Sequence, residues 1–319
     1  MTELPVIDID EVRRVMEGYA ERGWTDGLPV MPVTESVLAE FLAMTDRQPG
    51  EVLLAMPHLD RECTVRTAAI NAAMAGCLPE YFPVVLAAWS ALQLEGYVPR
   101  AIWQSTTGTA PMLLVNGPVR ERIGLNSQGN VFGSGFRANA TIGRAIRLTA
   151  INAFGLRPHE LDQATQGNPA KYTACIAENE EQSPWPAFHV EHGFDARAST
   201  VTAMTMRSVL HIEARHTTVP EQLALDLVDT IRRTGALIHE TISTCIALGP
   251  EHAELFASAG WGKDAVSGQT RWRLASAHAD AVPDSAADED VVPVLNSEQL
   301  CVTGFRCVTG FGCVTGSAV

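Results

Sequence analysis

Pro111-Met112-Leu113-Leu114-Val115-Asn116 is a short apolar run bounded by turn residues, a pattern that predicts a buried strand. A loop holding Gly124, Gly129, Gly133 and Gly135 follows it, and a helical stretch over 138–154 then stops at Gly155. Upstream, Val12, Val15, Met16 and Tyr19 recur at helical spacing before Gly23. Residues 23–32 hold too much Gly and Pro for regular structure. Thr34 is placed to cap a second helix, 64–76 reads as an Ala-rich helix, and Pro79 opens another. Downstream, 173–177, 200–206 and 238–248 read as strands. Pro220 opens a helix with Leu223, Leu227 and Ile231 on one face, and 250–274 reads as a helical pair broken at Gly260-Trp261-Gly262. Strands alternating with helices predict a mixed α/β class, with one large domain over 1–275.

The composition changes beyond that point. Residues 276–300 are rich in Ala and Asp and read as an acidic, flexible linker and recognition segment. The tail, 301–319, repeats Cys-Val-Thr-Gly three times, with Cys301, Cys307 and Cys313 in six-residue register. So short a unit cannot bury a hydrophobic face of its own, since stacking repeats run to about twenty residues or more. The predicted tail is therefore a mobile segment, good as a substrate for modification and poor as a fold. Cys301, Cys307 and Cys313 are set to attack the carbonyls of Leu300, Arg306 and Gly312 and close into thiazolines. Alternatively, Thr303, Thr309 and Thr315 supply hydroxyls for ring closure or dehydration.

Bulk properties limit the partners. A formal charge of -14 over 319 residues, with no basic aromatic stripe, argues against nucleic acid. No apolar run approaches the roughly 18 residues that a membrane helix needs. The first residues lack the pattern of a signal peptide, so a cytoplasmic location is expected. Cys63, Cys77, Cys175 and Cys245 are scattered and form no C-x-x-C pair. In a reducing compartment they are expected to be small buried hydrophobes.

Three groups of body residues are candidates for chemistry. Arg137, Asn139, Thr141 and Arg144 open the 138–154 helix beside the glycine loop, which suits a carboxylate or phosphate; ordinary capping with surface arginines is the alternative. His189, Glu191 and His192 offer two imidazoles and a carboxylate to a metal if the backbone is irregular, or are simply exposed. Glu178, Glu180 and Glu181 are candidates for general acid/base work, a solvated acidic turn being the alternative, with Cys77, Lys171 and Tyr172 as further catalytic candidates. Gly133-Ser-Gly135-Phe-Arg-Ala138 follows a poor strand and lacks the downstream acidic residue, so a dinucleotide site is rejected and no cofactor is named.

Gly23-Trp-Thr-Asp-Gly-Leu-Pro-Val30, Asn71-Ala-Ala-Met-Ala-Gly-Cys-Leu-Pro-Glu-Tyr81, Val115-Asn-Gly-Pro118, the stretch 137–148, Lys171-Tyr-Thr173, Ala177-Glu-Asn-Glu-Glu181 and Leu248-Gly-Pro-Glu-His252 resemble a bacterial family of uncharacterised proteins. That family is associated with redox-type UGSC selenoprotein or thiol domains. The resemblance covers about 10–275, and it implies a body plan and no reaction. Relatives continue into a glycine-rich segment, whereas this chain continues into the linker and repeat. The tail itself resembles the core of a ribosomally made, post-translationally modified peptide carried on an enzyme-like leader. The implied partner is a maturation enzyme of cyclodehydratase or dehydratase type, binding near 291–300 by strand addition. Homo-oligomerisation is left open. The competing expectation is a cytosolic metabolic enzyme acting on a small anionic substrate, with an inert tail.

Overall fold

In the computed structural model the described residues are 8–94, 102–234, 242–266, 295–296, 301–305 and 311–314. In chain order the elements are α1 (Ile9–Glu21), α2 (Glu35–Leu42), β1 (Val52–Met56), β2 (Arg61–Thr64), α3 (Val65–Ala75), α4 (Phe82–Leu94), β3 (Ala110–Asn116), α5 (Val119–Arg122), α6 (Arg137–Phe154), β4 (Cys175–Ala177), α7 (Phe188–Glu191), β5 (Ser199–Leu210), α8 (Pro220–Arg233), β6 (Ile242–Ile246), α9 (Pro250–Ser258), β7 (Leu295–Asn296), β8 (Cys301–Phe305) and β9 (Phe311–Val314). The mixed α/β class is as expected.

Local chemistry accounts for the element ends. Thr34 and Thr64 cap α2 and α3 by accepting from Val37 N and Thr67 N, which satisfies otherwise orphan amides. Gly76 and Gly155 close α3 and α6 in the left-handed conformation, at φ 90° and 67°. The β1–β2 hairpin was not expected. Its turn passes through Asp60 at positive φ, where no Gly or Asn-Gly signal marked it.

The run 110–116 is fully buried and forms the second strand of the main sheet, beside the edge strand β4. That sheet has the order β4-β3-β5-β8-β6-β7, with β9 also on β5. β3 runs parallel to β4 and antiparallel to β5, with Asn116 opposite Thr200 and Leu114 opposite Thr202. Alternation divides its side chains between two layers. Leu113 and Val115 join the larger core with α3, α4 and α6, while Met112 and Leu114 join Ile176, Phe188, Met204 and Met206 on the opposite side. Helix α4 is apolar almost all round and buried accordingly. Its Trp89 is fully enclosed, edge-on to Phe154 at 6.0 Å and to Trp103 at 6.5 Å. A smaller core joins α8 and α9 through Leu223, Leu227, Ile246 and Phe256.

Two short pieces of the repeat tail are described, and their backbones pair with the body. Residues 301–305 lie between β5 and β6, antiparallel to both, and 311–314 run along the same edge of β5. Cys301 stands opposite Leu210 and Cys313 opposite Thr200. Units too short to build a layer still add a strand, because a ladder needs only main-chain N–H and C=O groups in register. Val, Thr and Phe also suit extended backbone. Cys307, Thr309 and Thr315 lie outside the described residues. So does the linker 276–300, except Leu295–Asn296, which pair in parallel with β6.

Candidate functional site

The carboxyl ends of β3 and β4 meet in a buried polar cluster. β3 ends at Asn116 and turns at Gly117, which has φ 82°. A Cβ there would meet Ala198 O at 2.1 Å, so only glycine brings the chain this close to β5. That approach aims Gly117 N at Glu180 Oε1 (2.7 Å), which also accepts from Asn116 Nδ2 at 3.0 Å. Asn116 Nδ2 donates to Glu178 Oε2 as well, and the same oxygen accepts from Phe188 N at 2.8 Å, fixing the start of α7. Glu178 Oε1 faces Lys263 Nζ at 3.5 Å. Lys263 in turn reaches Glu191 at 3.0 Å and Pro186 O at 2.6 Å.

Arg120, on α5, ties the cluster from one side. It donates to Gly117 O (3.1 Å), Glu178 O (2.7 Å) and Glu181 Oε1 (2.7 Å), and pairs with Glu180 Oε2 at 3.0 Å. Burial works against its charge. The Glu181 hydrogen bond and the Glu180, Glu181 and Glu178 charges outweigh that, so its pKa is raised. The hydrogen bond from Arg120 holds the Glu181 carboxyl below its ordinary value.

His189 completes the group. Its ring is fully buried, its Nδ1 lies 4.0 Å from Glu180 Oε1, and neither nitrogen makes a hydrogen bond among the described residues. Asn116 Oδ1, Asn179 Oδ1, Thr200 Oγ1 and Thr202 Oγ1 are likewise buried without a partner. Native proteins leave few such atoms, and each unmade hydrogen bond costs about 1–3 kcal/mol. Here they gather at one end of β3 and β5, since Asn116 and Thr200 are cross-strand neighbours. An imidazole beside a carboxylate, ringed by hydroxyl and amide groups, is equipped to move a proton and to hold a polar reacting group.

The other predicted candidates are placed elsewhere. Arg144 is committed to Asp26 (2.8 Å from both Nε and Nη2) and to Pro29 O, holding the 23–32 loop against α6. Asn139 does not cap α6, whose N-cap is Phe136 without a side-chain bond. Its amide instead bonds Asn126 and Cys175 O, pinning the glycine loop. Thr141 bonds back to Arg137 O, and Arg137 bonds Gly76 O. Arg137, Thr141 and Arg144 lie round the buried Cys77, where Thr141 hydrogen-bonds the thiol and both guanidiniums favour its charged form, while Asn139 is turned to the glycine loop. Lys171 is held by Asp162 at 2.6 and 2.7 Å, and Tyr172 is half exposed.

His192 bonds Phe188 O through Nδ1 and lies against the Phe188 ring, while Glu191 is taken by Lys263. Among the described residues no three His, Cys, Asp or Glu side chains converge as a metal site. No helix there is long and apolar enough to cross a membrane.

Cys77 is buried, and burial pushes its thiol up to about 12. At pH 8 that leaves about one part in 10⁴ as thiolate. Iodoacetamide is therefore expected to leave Cys77 unlabelled in the folded protein and to label it fully in denaturant, as peptide mass mapping would show. Rapid labelling in the folded state would restore it as a nucleophile. Cys63 and Cys175 are raised by burial too, and all four body cysteines are buried, as expected of small core residues.

A cavity of about 400 Å³ opens near the other end of β5, lined by Thr106, Thr165, Gln166, Arg207 and Ser208 among others. Its lining has no carboxylate or imidazole, so the polar cluster is the stronger chemical candidate. Sequence reasoning found Glu178, Glu180 and His189 but missed Asn116, Arg120, Lys263 and Thr200. A polar residue ending a buried strand before Gly117 was a usable signal for Asn116. Arg120 and Lys263 sit among ordinary surface-like neighbours and gave none. No family model, no curated protein and no solved structure matches the chain.

Proposed function

We propose that this chain is the precursor of a ribosomally synthesised, modified peptide, in which the α/β body is a folded leader and 301–319 is the core. The observation that carries this is the six-residue register of Cys301, Cys307 and Cys313 in a tail too short-repeated to build a layer of its own; the backbone of 311–314 lies along β5, with Cys313 in register opposite Thr200. A body that pairs with its own substrate strand offers it at high effective concentration. In the favoured chemistry each cysteine Sγ bonds to the preceding carbonyl carbon. The carbonyl oxygen then leaves as water with the thiol and amide protons, after activation by a cyclodehydratase-type enzyme. β7 ends the strand order of the main sheet, and such an edge is where a maturation enzyme can extend the ladder near 291–300.

The test is intact mass after co-expression with the neighbouring genes. Loss of one water per ring, localised by fragmentation to 301–319, is expected. The same loss on expression alone would make the body self-modifying, and His189→Gln would then abolish it. An unchanged mass both in co-expression and in the native producer would overturn the precursor reading. The second reading, an enzyme with an inert tail, draws support from the buried His189, which makes no hydrogen bond among the described residues. It expects Cys301, Cys307 and Cys313 all changed to Ser, which keeps the backbone ladder, to leave turnover unchanged.

A further inference from the structure

The edge of β5 that holds the tail is built to accept more than one register. Residues 301–305 read Cys-Val-Thr-Gly-Phe, and residues 307–311 read the same five in the same order. Sliding the tail by one unit moves it six residues. Six is even, so every residue returns to the sheet face of the one it replaces, whereas an odd slip would invert them all. The hydrogen bonds that seat 301–305 are main-chain bonds to β5 on one side and β6 on the other, and these do not distinguish one copy from the next. β5 itself cannot slide to follow, because its opposite edge is locked to β3 in seven consecutive pairs from Ala110↔Met206 to Asn116↔Thr200.

We infer that the gap between β5 and β6 is a strand-binding slot of fixed register, and that the two Cys-Val-Thr-Gly-Phe units are interchangeable occupants of it. The fixed body thereby presents successive copies of one peptide at one place. With Leu295–Asn296 paired to β6, the connection grows from 297–300 to 297–306; loop closure depends only logarithmically on length, and occupancies within about fourfold of each other are expected. Ring closure would take the cysteine N–H and the preceding C=O out of the ladder, so the slot is a property of the unmodified chain and is tested there, apart from the precursor reading.

Disulfide trapping in the full-length, unmodified chain tests it. Leu210, partly exposed, stands opposite Cys301, and directly paired antiparallel residues have Cα separations of about 4.5–5.5 Å, within disulfide range. In a Leu210→Cys background, one variant keeps Cys301 (C307S, C313S) and a second keeps Cys307 (C301S, C313S). A third carries V308C with all three tail cysteines changed to Ser. Mild oxidation and peptide mapping should give the 210–301 and 210–307 disulfides in yields within about fourfold, and no 210–308 bond. Trapping of Cys301 alone would show a single fixed register and overturn the inference. Failure of both, or equal trapping at 308, would show that no phased slot exists. Trapping of Cys301 in the same background also reports that Leu210→Cys has folded.

Discussion

Asp162→Asn is expected to remove about 3–5 kcal/mol of stability, the cost of leaving buried cations without their counterion. Asp162 is 3% exposed and meets two of them, Arg147 at 2.6 Å and Lys171 at 2.6 Å. Its Oδ1 also accepts from Ala164 N at 3.2 Å. An asparagine of the same shape keeps the packing and one acceptor but not the charge. With total stabilities of about 5–15 kcal/mol for a domain, such a loss is large enough to read directly in a urea titration. The pH dependence has a definite sign. Burial works to raise the Asp162 carboxyl, but the Lys171 hydrogen bond and the Arg147 and Lys171 charges outweigh it, so its folded pKa lies below the ordinary 3.8. The stability it contributes is therefore present above that ordinary value and is lost as pH falls through the depressed folded one. The gap between wild type and Asp162→Asn should be widest near neutral pH and narrow in acid. A gap under about 1 kcal/mol at neutral pH would place the pair among ordinary exposed ion pairs.

Arg120→Ala should cost about 2–4 kcal/mol, by leaving the partly buried Glu180 carboxylate and the buried Glu178 carbonyl without the guanidinium. The geometry makes the distinction between arginine and lysine sharp. Arg120 uses Nε, Nη1 and Nη2 in different directions, on Gly117 O, Glu178 O, Glu180 and Glu181. A lysine supplies one charge at one point and cannot span them. Arg120→Lys is therefore expected to recover less than half of the loss in thermal or urea unfolding. Because Glu180 also holds Asn116 and Gly117 N, the Ala variant should loosen the end of β3 first. Amide exchange at Gly117 and Glu178 should rise before that of α3 or α6. Full rescue by lysine would mean that charge alone matters here.

Much of the frame was legible because it depends on neighbours in sequence. The caps at Thr34 and Thr64, the stops at Gly23, Gly76 and Gly155, and the buried run 110–116 follow from side-chain size, missing Cβ atoms and hydrophobic spacing. The candidate site was legible only in part. Glu178 and Glu180 stood out as carboxylates just after an apolar stretch, and His189 as one of a pair of histidines. Their partners come from segments far along the chain, and nothing in the sequence around Lys263 marks it as the counterion of Glu178. Arg144 was misread for the same reason: its spacing beside a glycine loop resembles an anion site, yet its partner Asp26 lies more than a hundred residues upstream.

The sequence by itself determined the helices, their ends, the buried strand 110–116 and the repetition of the tail, since each is a property of a few consecutive residues. Only the tertiary structure decided which carboxylates are paired and which imidazole is buried beside Glu180 with no hydrogen bond among the described residues. The physical reason is that ion pairs and strand ladders are made between segments whose approach is fixed by the packing of everything in between.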